Sequence, residues 1–134
     1  MVQNDPKNYL DWFFKAQEDE SNIVSLLKHR DGTPGMVCFI SQQMAEKYLK
    51  AFLVYAGKPF KKVHDLIELE SSIYEKEKSI GSLHDDLKLL NRYYIETRYP
   101  GDYPEFLWQE AEEAYEAAKK IKNFVIHRVE TETK

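Results

Sequence analysis

Between Tyr9 and about Lys28 the apolar positions fall at Leu10, Phe13, Ala16, Ile23, Val24 and Leu27, with an acidic turn at Glu18 to Glu20. Such spacing predicts a first amphipathic helix. Its end is expected in His29-Arg30-Asp31-Gly32-Thr33-Pro34, where basic residues suit a carbonyl end, Gly32 suits a left-handed cap and Thr33-Pro34 opens the next helix. The second helix is expected over Pro34 to Tyr55, about 30 Å of rod. Its apolar stripe is Val37, Ile40, Met44, Tyr48, Ala51, Phe52 and Tyr55, with Gln43, Glu46, Lys47 and Lys50 on the other side. That division predicts one buried and one solvated face.

Gly57 and Pro59 stop the second helix, and a basic connector (Lys58, Lys61, Lys62) leads to Asp65. Asp65 with Glu68 has the form of a capping box, and Leu66, Leu69 and Ile73 give a short third helix its buried edge. Ser82 and Asp85 are expected to cap a fourth helix carrying Leu83, Leu87, Leu90 and Tyr94, closed by Arg98-Tyr99-Pro100-Gly101. A last helix is expected from near Pro104, with Leu107, Ala111, Ala114, Ala118, Ile121 and Val125 on one seam. Small side chains there leave room for bulky neighbours such as Phe13, Phe39 or Phe52. With no alternation of period two and no dividing linker, residues 1–134 are expected to form one domain, an all-α, antiparallel up-and-down bundle of about five helices.

A chain of 134 residues, 43% hydrophobic, buries enough surface to fold without a disulfide or metal. Its 19 basic and 23 acidic residues give a net charge of -4, which excludes a protein that wraps duplex nucleic acid by bulk positive potential, so any phosphate contact must be local. The single cysteine, Cys38, is expected to pack as a small apolar group, and the cytoplasm is the expected location. The longest apolar run, Ala51 to Ala56, falls far short of the ~20 residues of a membrane helix, so no membrane association is expected.

The chemistry of known cofactors is not written in the chain. It has neither GxGxxG nor a P-loop, and His29, His64, His84 and His127 form no HExxH or other i, i+4 pair. One cysteine cannot build a thiolate zinc site, and no ExxH motif suggests a di-iron bundle. No metal and no cofactor are therefore expected. Ser41 and Cys38 lack a neighbouring base and are read as packing residues.

The string Phe39-Ile40-Ser41-Gln42-Gln43-Met44-Ala45-Glu46-Lys47-Tyr48-Leu49-Lys50-Ala51, then His64-Asp65-Leu66, then Thr97-Arg98-Tyr99-Pro100, resembles the HEPN domain (higher eukaryotes and prokaryotes nucleotide-binding). Trp12 and Ala16 fit the family's opening pattern, so the resemblance covers nearly the whole chain. It implies a helical bundle that dimerises, is often encoded beside a minimal nucleotidyltransferase, and is associated with nucleotide or RNA chemistry and toxin-antitoxin pairs. Many relatives cleave RNA through an Arg followed, after four to six residues, by His. Downstream of Arg30, Arg92, Arg98 and Arg128 no His falls in that window, so the chain resembles the branch without that motif, and no catalytic residue is assigned.

Against this background Gln43, Lys47 and Lys50 are candidates for binding a phosphate or a partner protein, since Lys is a point-charge donor and Gln an orientable amide. The competing reading is a solvated face whose Glu46–Lys50 pair contributes only ~0.3 kcal/mol. His64 is a candidate phosphate donor, or a residue that shapes the turn before Asp65. Arg98 and Tyr99 suit a nucleotide phosphate and base, or the sealing of a helix end. Lys58, Lys61 and Lys62 read most simply as a solvated connector. Trp12, Trp108, Tyr93, Tyr94, Tyr99 and Tyr103 suit a core or a dimer face better than a base-stacking platform.

The function expected from the sequence is a nucleotide- or RNA-associated binding module, homodimeric, working with a minimal nucleotidyltransferase. Two alternatives stay open: an atypical RNA-cleaving toxin with a site assembled across a dimer, using His64 and Arg98, and a purely structural interaction protein.

Overall fold

The computed structural model describes residues 8–60, 62–96 and 105–132. They form α1 (Tyr9–His29), α2 (Pro34–Tyr55), α3 (Leu66–Tyr74), a 3-10 turn (Lys78–Leu83), α4 (His84–Glu96) and α5 (Trp108–Glu132). Among the described residues there is no strand, and the architecture is the expected all-α bundle of five helices. Residues 97–104, including Arg98, Tyr99 and Tyr103, and Lys61 in the connector lie outside the described part.

Local chemistry sets three helix starts. Asn8 Oδ1 accepts from Leu10 N at 2.8 Å, Thr33 Oγ1 from Met36 N at 3.2 Å, and Asp65 Oδ1 from Ile67 N and Glu68 N at 2.9 and 3.3 Å. Each satisfies backbone donors that a helix leaves unpaired at its first turn.

Other boundaries depart from expectation. The left-handed cap of α1 is Arg30 (φ 55, ψ 32), not Gly32. A non-glycine residue in that region is strained, but Arg30 gains from it: its guanidinium lies 4.9 Å from the centroid of Trp108 and pairs with Glu112. Gly32 instead supplies room, since a Cβ there would meet Leu26 Cδ2 at 2.7 Å. Ser82 does not cap α4; its hydroxyl donates to Ser79 O at 2.9 Å, and the 3-10 turn carries the buried Leu83. Helix α5 starts at Trp108 rather than near Pro104. Leu107 precedes it and is 65% exposed, so it is no part of the seam, while its N–H donates to Glu110 Oε1 at 3.0 Å. From Ala111 the seam runs as expected through Ala114, Ala118, Ile121 and Val125, all buried, with Ala117 and Val129 added.

The main departure is α2. It packs against each of the other four helices, and 13 of its 22 residues are buried. Of the side read as solvated, Glu46 and Lys50 are among them, as is the neighbouring Gln42, while Gln43 and Lys47 are half-buried. Phe13 packs on Tyr48 at 5.5 Å between ring centroids and Phe52 is buried, whereas Phe39 stacks on Tyr94 at 6.1 Å. Helices α1 and α5 are tied by Glu20, which accepts from Tyr115 Oη at 2.6 Å and Lys122 Nζ at 2.9 Å. Burial pushes the Glu20 carboxyl upward, but Lys122 and Tyr115 outweigh it and hold the group below its usual range. Among the described residues, no helix is long and apolar enough to cross a membrane.

Candidate functional site

Gln42, Glu46 and Lys50 are four residues apart, which places them one above the next along a ridge of α2. The connector after α2 returns across this ridge. Gly57, at φ 70, makes the turn, a backbone region that costs glycine nothing. The chain then passes Phe60 and reaches His64, whose backbone carbonyl accepts from Gln42 Nε2 at 3.0 Å.

The His64 ring completes the arrangement. Its Nδ1 lies 3.1 Å from both carboxylate oxygens of Glu46, and a carboxylate only accepts. Nδ1 therefore carries the proton and Nε2, across the ring, is left to act outward. The ring stacks on Tyr94 of α4, with centroids 4.3 Å apart and planes 17° apart. Next in sequence, Asp65 caps α3 and accepts from Asn91 Nδ2 at 3.1 Å, while Asn91 Oδ1 takes the Leu66 N–H at 2.7 Å. Three helices thus fix one imidazole, yet its side chain remains 49% exposed. A side chain held this way loses little freedom when it meets a ligand, which is the condition for a precise contact.

Glu46 is buried, with only 7% of its side chain exposed, and is neutralised from the other direction by Lys50, whose Nζ donates to Oε2 at 2.8 Å. The Lys50 ammonium also lies 5.6 Å from the Trp12 ring centroid and 5.9 Å from that of Phe60, a cation–π setting in a largely desolvated place. Gln42 adds a longer bond to Glu46 Oε1 at 3.4 Å, and Gln43 donates to Gln42 Oε1 at 2.7 Å. Glu46 is the hub on which the other polar groups converge.

Of the candidates named from the sequence, the fold gathers Gln43, Lys50 and His64 into one cluster. Lys50 is no free phosphate donor: its ammonium is committed to Glu46 beneath two rings. Lys47 is engaged elsewhere, donating to Asp19 Oδ2 of α1 at 2.6 Å. Burial nevertheless raises the Asp19 carboxyl above its usual range, outweighing Lys47. Arg98 and Tyr99 lie outside the described residues. Sequence reasoning missed Glu46 as the support of His64, Gln42 as the anchor of its backbone, and Tyr94 as its stacking partner. The Glu46–Lys50 pair at i, i+4 was visible; Gln42 one turn before it, and what the connector would lay on the three, were not. Cys38 is fully buried, with burial pushing its thiol up to about 12, and Ser41 is fully buried as well, as befits packing residues. No group of three or more His, Cys, Asp or Glu side chains placed to hold a metal occurs among the described residues.

The model of the HEPN domain family matches residues 9–129. Among solved structures, the protein TT1696 from Thermus thermophilus is 30% identical, covering 89% of this chain and 96% of its own, with a TM-score of 0.79. ST0689, described as an archaeal HEPN homologue, is 23% identical over 91% of this chain and 98% of its own, with a TM-score of 0.73, and is alike in fold. No curated protein matches the chain.

Proposed function

We propose, from the premise that this chain belongs to the HEPN domain family, that it is a nucleotide- or RNA-associated binding module whose ligand meets His64, and that it works as a homodimer with a minimal nucleotidyltransferase. The observation that supports the ligand reading is His64 itself: half exposed, held at Nδ1 by a buried carboxylate and stacked on Tyr94. A ring so held offers Nε2 to a phosphate oxygen when protonated, and an aromatic edge beside Tyr94 for a base. Gln43, next to the cluster, supplies an orientable amide. Arg98 and Tyr99 follow α4 in sequence just after Tyr94, and they remain in the proposed contact set on the strength of the family resemblance. Lys50 is better placed as a support of the site than as a contact, and Lys47 as a tie to α1.

Calorimetric titration of the pure protein with adenosine and guanosine nucleotides and a short single-stranded RNA tests this. Binding is expected, with His64→Ala weakening it by roughly tenfold, about 1.4 kcal/mol. A saturating ligand at 100 times its dissociation constant is also expected to add about 2.7 kcal/mol of stability. Binding of none of these ligands sinks the ligand reading, and unchanged binding by His64→Ala sinks the site. Co-purification with the nucleotidyltransferase encoded beside it, where one exists, tests the partner.

A second reading, RNA cleavage, draws on the Glu46–His64 contact. A carboxylate that orients one imidazole nitrogen leaves the other fit for general acid or base work. If chelator-treated protein degrades RNA and His64→Ala does not, this reading displaces the first.

A further inference from the structure

Helix α1 turns one side to α2 and α5 and the other to solvent. Along the outer side Leu10, Phe14, Gln17, Ser21, Val24 and Lys28 are all exposed, at successive spacings of four, three, four, three and four. That is the repeat of a helix seam that pairs with another helix, and among the described residues no helix lies against it. Leu10, Phe14 and Val24 are 54%, 59% and 47% exposed, three of the large apolar side chains that the fold leaves in water. Scattered single apolar residues need no explanation, but three on one seam do.

The seam is self-complementary when read backwards. If a second α1 lies antiparallel on it about a two-fold axis, Leu10 faces the stem of Lys28, Phe14 faces Val24, and Gln17 faces Ser21 beside the axis, each pair occurring twice. This is the reciprocity an isologous interface requires. Charge agrees at the ends, where the exposed Asp11 comes beside Lys28 of the second copy. We infer that the outer seam of α1 is the interface between two copies of this chain, paired antiparallel, with Phe14 and Val24 as its apolar anchors. This deepens the homodimer part of the proposed function and is independent of the His64 ligand site. One repulsion is built in: Glu18, exposed beside Gln17, faces its own copy across the axis. It makes the pairing weaker than its apolar contacts alone would, and therefore concentration-dependent.

The test is the oligomeric state by sedimentation equilibrium over a wide concentration range, with circular dichroism and melting temperature confirming that each variant folds. The unmodified chain is expected to dimerise, Phe14→Glu with Val24→Glu to be monomeric, and Glu18→Gln to dimerise more tightly. Asp11→Lys and Lys28→Glu are each expected to weaken the dimer, and the two together in one chain to restore it, because the pair is then reversed and not lost. A dimer that survives Phe14→Glu with Val24→Glu overturns this face while leaving dimerisation standing. An unmodified chain that stays monomeric throughout overturns both. Neither result touches the ligand reading, which is decided separately by His64→Ala.

Discussion

Two carboxylates hold this bundle together with nearly the same contacts and opposite consequences. Glu20 on α1 takes a hydroxyl and an ammonium, Tyr115 and Lys122, both from α5. Glu46 on α2 takes an ammonium and an imidazole, Lys50 and His64, from its own helix and from the connector. At Glu20 the phenol has one hydroxyl and spends it inside, and Lys122 ties the same carboxylate to α5, so the contact is a strut. At Glu46 one donor has a second nitrogen and half of its surface in water. The same charge then positions a group for use elsewhere. What separates the two clusters is that His64, once the fold is satisfied, keeps a second ring nitrogen and a half-exposed ring.

That contrast can be broken by measurement, and the largest effect is expected at Glu46. Glu46→Gln leaves the Lys50 ammonium buried without its carboxylate, a loss of about 3–5 kcal/mol, read as a fall of about 10–20 °C in the melting temperature. Adding Lys50→Met should recover most of it, because the cost lies in the stranded cation. A Glu46→Gln protein as stable as the parent would mean that Lys50 is not desolvated.

Glu20→Gln comes next, at about 1.5–3 kcal/mol for hydrogen bonds to a charged group. Its pH dependence gives a sharper check. The Glu20 carboxyl in the fold lies below its usual 4.5, so its contribution is fully present above that pH and is lost as pH falls through the lower, folded value. Chemical denaturation should find the parent and Glu20→Gln converging as the solution is acidified below 4.5. Parallel curves would show that the charge on Glu20 is not what the strut uses.

Tyr115→Phe removes one of the two donors and should cost about 1–1.5 kcal/mol. Smallest in stability is His64→Ala, expected to cost less than about 1 kcal/mol, because the ring is half exposed and Glu46 keeps its bond to Lys50, even though it is the variant expected to lose ligand. A His64→Ala protein destabilised as much as Tyr115→Phe would place His64 among the struts and erase the distinction.

Much of the fold was legible because its signals are local. Thr33-Pro34 and Asp65 start helices wherever the chain goes, since they act on backbone donors two or three residues away. The alanine seam of α5 was readable for a similar reason: only burial gives a run of small side chains at helical spacing a purpose. Arg30 was less legible. Gly32 was the better left-handed residue on intrinsic grounds, and only the placement of Trp108 and Glu112, some eighty residues on, makes the strained Arg30 worthwhile. Leu107 was misplaced for the converse reason, as a residue in good register with a helix that had not yet begun.

By itself the sequence determined five rods, their order, most of their ends and the kind of side chain each carries, because those follow from periodicity and capping over a few residues. It also held the Glu46–Lys50 pair in plain view. Only the tertiary structure decided that α2 packs against all four other helices, that the ridge lies under a connector, and that His64 is the group left reaching out of it. The physical reason is that burial belongs to neighbours: the same Glu46–Lys50 pair is nearly worthless in water and costly to break in the interior, and nothing within α2 specifies which of the two surrounds it.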